Sequence, residues 1–217
     1  MHIAILGTGQ VATTLTQALT RTGHTVVAGS TGKDPAADAA FGAPVTDLAS
    51  AARQGEVVIN AVMGSAALEV LSGLEKEIAD KVLLDVSNAL VLDIAEGQDP
   101  HLTFPDLRLL YPNSSLAAQL QKALPEAKVV KSLNTLNIGV STSPEILPGP
   151  TTVFLSGNDA DAKATVSRLL TEMGWPVDSQ IDLGDVRTAR DQEHYFLLYY
   201  AMVRALGTVH LNLAIVR

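Results

Sequence analysis

The first twelve residues combine an apolar, strand-like run with a glycine-rich turn. Apolar residues 3–6 lead into Gly7-Thr8-Gly9-Gln10-Val11-Ala12, a Gly-x-Gly-x-x-Ala turn between a predicted strand and a predicted helix. In such a turn Gly7 permits a sharp bend, Gly9 leaves room for phosphates, and Ala12 lets the helix pack closely on the strand. The helix directs its free N–H groups and positive end toward the bound anion. The motif therefore predicts a site for the pyrophosphate of a dinucleotide.

The end of the second predicted strand indicates which dinucleotide is bound. NAD sites usually have Asp or Glu there, about 20 residues after the glycine turn, to bind the ribose 2′-hydroxyl. This chain has Ala28-Gly29-Ser30-Thr31-Gly32-Lys33, with no acid before Asp34. Two hydroxyls and an ammonium suit a 2′-phosphate, whereas a carboxylate would repel it. The pattern favours NADP over NAD, although a polar loop that merely lacks an acid would look the same.

Polar turns follow three further predicted strands. They are Asn60-Ala61-Val62-Met63-Gly64, Asp85-Val86-Ser87-Asn88-Ala89 and Lys131-Ser132-Leu133-Asn134-Thr135-Leu136. Ligands in open parallel sheets bind outside the carboxyl ends of the strands, so these turns could position a nicotinamide carboxamide and a second flat ring. A structural interpretation also fits: Gly64 would only end its strand, Ser65 would only cap the next helix, and Asp85 would be a hydrogen-bonded structural acid.

The sequence offers no acid–base pair and no metal site. The histidines show no ligand spacing, no Tyr-x-x-x-Lys pair occurs, and cysteine is absent; the histidines are His2, His24, His101, His194 and His210. We therefore predict no catalytic side chain and no bound metal. Hydride transfer between two stacked heterocycles is compatible with this, because it requires orientation and exclusion of water more than a side-chain acid.

Strand-like and helix-like segments alternate, which predicts an α/β fold with a doubly wound, mostly parallel sheet. Strands are predicted at residues 3–6, 24–28, 56–62, 81–86, 128–133, 151–156 and 177–183. Helices are predicted at residues 10–21, 34–41, 47–54, 65–79, from Ser114 or Ser115 to 124, from Asn158 or Asp159 to about 174, and 185–206. Two connections, residues 88–112 and 134–150, are predicted to be long loops.

Bulk composition excludes several classes of protein. The 217 residues have a net charge of −8 and no cluster of Lys and Arg, which argues against a nucleic-acid or anionic-membrane surface. No run reaches the roughly 18 apolar residues of a membrane helix, and no basic region precedes an apolar one at the N-terminus. The absence of cysteine fits a reducing compartment. We expect a cytoplasmic protein that binds neither nucleic acid nor membrane.

Six segments together resemble a known family over nearly the whole chain. In order they are GTGQVA, AGSTGK, DVSNAL, PEAKVVKSLNTLN, TVFLSGNDADAK and IDLGDVRTARDQE. The series resembles the coenzyme F420-dependent NADP oxidoreductases, and it is similar to the cytosolic domain of six-transmembrane metalloreductases, which use NADPH and a flavin. The absence of a following membrane segment is expected to exclude a transmembrane metalloreductase.

The resemblance implies a fold and a reaction. It implies a Rossmann-type NADP-binding domain over residues 1–150 and a small C-terminal α/β extension over residues 151–217. The extension would end in a long helix and pack on the same domain, at the side of the dimer contact and the acceptor. The reaction would be hydride transfer between C4 of nicotinamide and C5 of the deazaflavin F420, or a related flavin, in a homodimer that meets no partner other than its small-molecule acceptor.

The resemblance also assigns residues to the two ligands. Besides Gly7, the pyrophosphate would be bound by Thr8, Gly9, Gln10 and Val11, and the 2′-phosphate by Ser30, Thr31 and Lys33. The nicotinamide and the acceptor ring would be surrounded by Asn88, Ala89, Asn134, Leu136 and Ile138, of which the last three would contact the acceptor. Apart from the resemblance, the turn after the buried strand predicts that Ala61, Val62 and Met63 bind the cofactor. The chain departs from the family at Thr31-Gly32-Lys33, where arginine often follows the serine, and at Val62-Met63-Gly64-Ser65, which lacks the Pro-Trp of archaeal enzymes.

Other functions remain open on the sequence. Pyrroline-carboxylate reductases and hydroxyacid dehydrogenases share the N-terminal unit but need a larger helical C-terminal domain than this chain provides after Leu183. A reductase of another small acceptor is also possible on these residues. A non-catalytic NADP-binding sensor could use the aromatic cluster Tyr195–Tyr200 as a partner surface. The same cluster could equally be core or a dimer contact, which we favour.

Overall fold

The computed structural model describes residues 1–32, 35–93 and 106–216. Within these residues the strands are β1 (His2–Leu6), β2 (Thr25–Ser30), β3 (Val45–Asp47), β4 (Val57–Asn60), β5 (Val82–Asp85), β6 (Leu90–Asp93), β7 (Asp106–Leu109), β8 (Lys128–Lys131), β9 (Val153–Gly157) and β10 (Gln180–Asp182). The helices are α1 (Gln10–Arg21), α2 (Pro35–Ala40), α3 (Leu48–Gln54), α4 (Gly64–Ser72), α5 (Glu75–Ile78), α6 (Leu116–Ala123), α7 (Ile138–Thr142), α8 (Ala160–Glu172) and α9 (Ala189–Leu206). Short 3-10 helices lie at Pro144–Ile146, Val177–Ser179 and Val186–Thr188.

Eight strands form one sheet in the order β3-β2-β1-β4-β5-β8-β9-β10. The strands from β3 to β8 are all parallel, β9 is antiparallel to β8, and β10 is parallel to β9. The predicted fold class, a Rossmann-type, doubly wound and mostly parallel sheet, is confirmed. The strand order reverses between β1 and β4, and in such sheets the crevice at this point is where ligands bind.

Hydrophobic cores cover both faces of the sheet. Ile3 and Ile5 of β1 point into one core, which also contains Leu15 and the fully buried Trp175. Ala4 and Leu6 of the same strand point into the other core, with residues of α4 and α6. Because both faces of the central strands are covered, they read as continuous apolar runs rather than as alternating patterns.

Both predicted loops contain regular structure. Residues 88–112 include β6 and β7, an antiparallel pair in which Leu90 lies opposite Leu109, while residues 94–105 lie outside the described part of the chain. Residues 134–150 include α7, which begins where the Asn137 side chain accepts a hydrogen bond from Gly139 N at 2.8 Å. A four-residue strand and a five-residue helix are too short to show periodicity, which is why the sequence predicted loops.

Other boundaries also differ from the prediction. The helix predicted over residues 65–79 is two helices, α4 and α5, separated at Gly73 and Leu74. Three residues before α3 form an unpredicted edge strand, β3. The open alternatives for two helix caps are decided by geometry: Ser115 caps α6 and Asp159 caps α8, each through a side-chain oxygen. None of the described helices is both long enough and apolar enough to cross a membrane.

Candidate functional site

The glycine turn lies at the switch point between β1 and β4. Gly7 has φ +118°, its N–H donates to Gly29 O at 2.8 Å, and a Cβ at this position would lie 2.7 Å from Ala61 O. Only glycine fits there. A Cβ on Gly9 would meet no atom of the described residues within 4 Å, which suits the close approach of a ligand on this side of the turn.

Helix α1 begins in this turn with an N-terminus prepared for an anion. Gly9 is its N-cap and offers no side chain, and the first turn of the helix contains no acid. Within the described residues, no N-cap side chain accepts a hydrogen bond from the first N–H groups of the helix. A helix N-terminus next to such a turn suits a pyrophosphate, as the sequence predicts.

A smaller cavity of about 350 Å³ lies at the end of β2, where the 2′-phosphate is expected. It is lined by Ser30, Thr31, Gly32, Asp38, Val45, Thr46 and Asp47. Of the residues predicted for the 2′-phosphate, Ser30 and Thr31 line this cavity, whereas Lys33 lies outside the described residues. The Ser30 hydroxyl accepts a hydrogen bond from Gly32 N at 3.0 Å, which shapes the turn.

The same cavity contains two carboxylates that the linear pattern did not reveal. Asp38 comes from α2, and its Oδ1 accepts a hydrogen bond from the Thr8 hydroxyl at 2.9 Å. Asp47 caps α3, where hydrogen bonds from Ser50 hold the pKa of its carboxyl below the usual value. The sequence therefore has no acid directly after β2, but the fold brings the carboxylates of Asp38 and Asp47 to the end of this strand.

The main cavity of about 530 Å³ opens over the carboxyl ends of β4, β5 and β8. Its lining includes most of the residues predicted for the nicotinamide and the acceptor, namely Ala61, Val62, Met63, Asn88, Asn134, Leu136 and Ile138. It also includes Gln10 and Val11, which were predicted for the pyrophosphate. Ala89, which is also predicted to bind the cofactor, is fully buried in the core and does not line this cavity. Ser65 does not cap α4 either, because Met63 is the N-cap and Gly64 begins the helix against the carbonyl of Asn88.

The floor of the cavity is a pair of facing amides. Asn88 Nδ2 donates to Asn134 O at 2.7 Å, and Asn134 Nδ2 donates to Asn88 Oδ1 at 3.0 Å. Asn134 Oδ1 is buried and finds no hydrogen-bond partner among the described residues. Leu133, just before Asn134, has φ +62°, an unusual conformation for a branched residue that brings the amide over the strand end. Such an orphaned acceptor fits the amide N–H of a carboxamide ligand.

Helix α9 forms an aromatic wall of the cavity. Phe196, Tyr199, Tyr200 and Val203 line the cavity, and the Phe196 and Tyr199 rings stack with centroids 5.6 Å apart. The Tyr199 hydroxyl donates to Val209 O at 2.9 Å, and burial raises the pKa of Tyr199 to about 12. The sequence favoured core or a dimer contact for this cluster. The spacing of these four residues, one face of a helix, was the signal that could have placed them together.

The lining is suited to holding rings rather than moving protons. Among the described residues that line the main cavity, none is Asp, Glu, Lys, Arg or His. Its polar groups are amides, one serine and tyrosines, and the rest is apolar. An environment of this kind orients a flat ligand by hydrogen bonds at its edge and excludes water from its faces.

Comparison with known proteins agrees with this geometry. A family model described as "NADP oxidoreductase coenzyme F420-dependent" matches residues 2–89. A solved structure from Arthrobacter sp. FB24, named as a candidate F420-dependent NADP reductase, is 35% identical, covers 99% of both chains and superposes with a TM-score of 0.86. The metalloreductase STEAP3 of Rattus norvegicus is 29% identical over 195 residues, which are 88% of this chain and 35% of that protein, so the chain spans about a third of its length.

A more distant structure shares only the fold. The imine reductase of Myxococcus stipitatus in complex with NADP+ is 15% identical, with a TM-score of 0.64 over 95% of this chain and 63% of that one. The match to the Arthrobacter structure covers the full length of both chains, and its sequence identity and TM-score are both higher. Together with the glycine turn, the amide floor and the residues matched by the family model, it shows that this chain belongs to the coenzyme F420-dependent NADP oxidoreductase family.

Proposed function

We propose that this protein is an NADPH-dependent oxidoreductase that transfers a hydride between NADP(H) and F420 or a related flavin. The observation that carries the proposal is the main cavity itself. It runs from the start of α1 to the aromatic wall of α9, has an amide floor, and is lined by no charged side chain among the described residues. Such a cavity suits two stacked rings between which a hydride, but no side-chain proton, moves.

The described residues fit NADP at three points. The α1 N-terminus and the open side of Gly9 suit the pyrophosphate. The unpartnered Oδ1 of Asn134 suits the nicotinamide carboxamide. The hydroxyls of Ser30 and Thr31 suit a 2′-phosphate. When bound, the nicotinamide supplies or accepts the hydride.

The chain's own contribution is orientation and exclusion of water. The facing amides of Asn88 and Asn134 fix the position at which a carboxamide can bind. Leu136, Ile138 and Phe196 contribute apolar lining to the cavity, which suits the faces of a second flat ring. Because burial keeps the pKa of Tyr199 near 12, its phenol remains protonated and holds Val209 rather than exchanging protons with a ligand.

The identity of the acceptor is the most specific part of the proposal, and an assay with several different acceptors tests it. Purified protein is mixed with NADPH and, separately, with F420, FMN and FAD, and the nicotinamide absorbance is followed. We expect oxidation of NADPH with at least one of these tricyclic acceptors. Saturable NADPH binding without oxidation by any of them would contradict the proposal and indicate a non-catalytic NADP-binding protein.

A further inference from the structure

A buried ionic cluster lies beneath the main cavity and contributes no atom to its lining. We call Asp85, Lys131 and Glu193 the Lys131 cluster; all three side chains are fully buried. Lys131 Nζ lies 2.9 Å from Asp85 Oδ2 and 2.9 Å from Glu193 Oε1. The three residues belong to β5, β8 and α9, so the cluster connects the strands under the cavity to the helix that forms its wall.

The cluster holds the backbone of Ser87 on both sides. Lys131 Nζ donates to Ser87 O, and Ser87 N donates to Asp85 Oδ1 at 3.1 Å. That carboxylate oxygen also accepts from Asn60 Nδ2 at 2.9 Å. The Ser87 hydroxyl donates to Val62 O at 2.8 Å, which adds the turn after β4 to the same network. The position of Ser87 is therefore set by the cluster and by its neighbouring strand.

The amide floor of the cavity is covalently linked to Ser87. Asn88 is the next residue, and its side-chain amide is paired with Asn134. Asn134 in turn lies three residues after Lys131, so both amides of the floor are connected by a few covalent bonds to residues of the cluster or to residues that it holds. A shift of the Lys131 ammonium would thus move the floor from two sides.

The wall of the cavity is attached to the same ammonium. Glu193 Oε1 accepts from Lys131 Nζ and, at 2.8 Å, from Leu116 N at the start of α6. Phe196 lies three residues further along α9, about one turn, and faces the cavity. The Lys131–Glu193 contact therefore fixes the distance between the wall and the strand ends.

Stability alone does not account for such a cluster. Buried ion pairs are often no more stabilising than apolar residues of the same volume, because desolvation offsets their attraction. Here one ammonium faces two carboxyl groups, and Glu193 Oε2 has no hydrogen-bond partner in the part of the chain that the structure describes. Burial raises the pKa of Glu193, and the Lys131 ammonium only partly counteracts this. Burial also lowers the pKa of Lys131, but Asp85 and Glu193 outweigh burial and keep it above the usual value.

We propose that Asp85, Lys131 and Glu193 are positioning residues for hydride transfer, which hold the amide floor and the aromatic wall at the separation that two stacked rings require. The inference rests on the proposed function, since it assigns these residues a role in that reaction. None of the three touches the cavity, so they act through Ser87, Asn88 and α9. Their effect is on the geometry of the bound rings rather than on the affinity for the pyrophosphate.

A combined variant, Asp85→Asn with Lys131→Met and Glu193→Gln, tests this proposal. It removes every charge and the donor to Ser87 O, while the new amides can still accept from Asn60, Ser87 and Leu116. Glu172→Gln is the control. Glu172, the last residue of α8, pairs with His24 and does not line the main cavity. The melting temperature, the Kd for NADPH, and kcat and KM with the acceptor are measured for each protein.

We expect the Kd of the combined variant for NADPH to stay within about threefold of wild type. The kcat should fall by about tenfold to hundredfold, which is the effect of misplacing the reacting rings by on the order of 1 Å. The control keeps wild-type values. A folded variant with unchanged kcat would overturn the inference, because a purely structural cluster changes the melting temperature alone.

Two further outcomes are also decisive. If the combined variant does not fold, Glu193→Gln alone is judged by the same criterion, with an expected loss of about threefold or more in kcat at unchanged Kd. Absence of turnover in the wild-type protein with every acceptor would instead overturn the proposed function, and this inference with it. Wild-type turnover in a folded variant overturns this inference only.

Discussion

Gly7 and Gly9 lie two residues apart in one turn, yet their surroundings differ. A Cβ at Gly7 would lie 2.7 Å from Ala61 O at a φ of +118°, whereas a Cβ at Gly9 would meet nothing within 4 Å. We therefore expect Gly7→Ala to lower the free energy of unfolding by about 2 kcal/mol or more. Gly9→Ala should leave it nearly unchanged and weaken NADPH binding by about tenfold, because the methyl group occupies phosphate space.

Thermal unfolding and a fluorescence titration with NADPH separate the two effects, and each variant serves as the control for the other. Gly9→Ala with wild-type affinity would show that the pyrophosphate does not bind on this side of the turn.

Asp38 is the residue with the clearest expected effect on the choice of cofactor. Its carboxylate lies in the cavity with Ser30 and Thr31 and accepts from the Thr8 hydroxyl. Two unit charges 4 Å apart in water interact by about 1 kcal/mol, which corresponds to about fivefold in affinity. We expect Asp38→Asn to increase the affinity for NADPH relative to NADH by about this factor.

The measurement is the ratio of the two Kd values. Asp161→Asn, the same change at an exposed site on α8, is the control and should leave the ratio unchanged. An unchanged ratio in Asp38→Asn would place the 2′-phosphate elsewhere.

Among the elements, α9 presents two faces with different roles. Phe196 lines the main cavity, while Leu198, two residues later, is 57% exposed. We expect Phe196→Ala to raise the KM for the acceptor by about tenfold, because it removes apolar contact with the second ring, and to leave the Kd for NADPH near its wild-type value. Leu198→Ala should change neither constant.

Steady-state kinetics with one acceptor at saturating NADPH measure this difference. Equal KM values for the two variants would mean that the second ring does not contact α9.

Elements with strong patterns could be predicted from the sequence, and short ones could not. The helix predicted over residues 10–21 is α1 with the same bounds, because a glycine turn precedes it and Gly23 follows it. Helix α7, with five residues, offers no periodicity and is recognisable only through its Asn137 cap. Part of the site could also be predicted. The polar turns at the strand ends were expected to lie together, because parallel strands end at one edge of the sheet. The approach of Asp38 and of Phe196 depends on tertiary packing, which local sequence does not encode.

For the molecule as a whole, buried tyrosine hydroxyls predict sensitivity to alkali. Burial raises the pKa of Tyr199 to about 12, whereas the phenol of the unfolded chain ionises at the model-compound pKa of 10.0. The folded state therefore retains a proton that the unfolded state has lost. The stabilising contribution is complete below pH 10 and is lost as the pH rises toward about 12, at up to about 1.4 kcal/mol per pH unit.

Tyr199→Phe removes this titration. Urea unfolding at about pH 9 and about pH 11 should show that the wild-type protein loses more stability between the two than the variant does. The variant should be about 1 kcal/mol less stable at the lower pH, where it lacks the hydrogen bond to Val209 O. Equal losses in both proteins would contradict a buried, hydrogen-bonded phenol at this position.

The central claim is that a hydride passes directly from one ring to another inside one cavity. It is tested most directly with NADPH that carries two deuterium atoms at C4, with F420 as the acceptor, and with mass spectrometry of the reduced product. The account predicts that reduced F420 gains one deuterium, retained on carbon C5, because the lining excludes water and offers no charged side chain among the described residues. Reduced F420 without deuterium, or NADPH binding without reduction of F420, FMN or FAD, would contradict it.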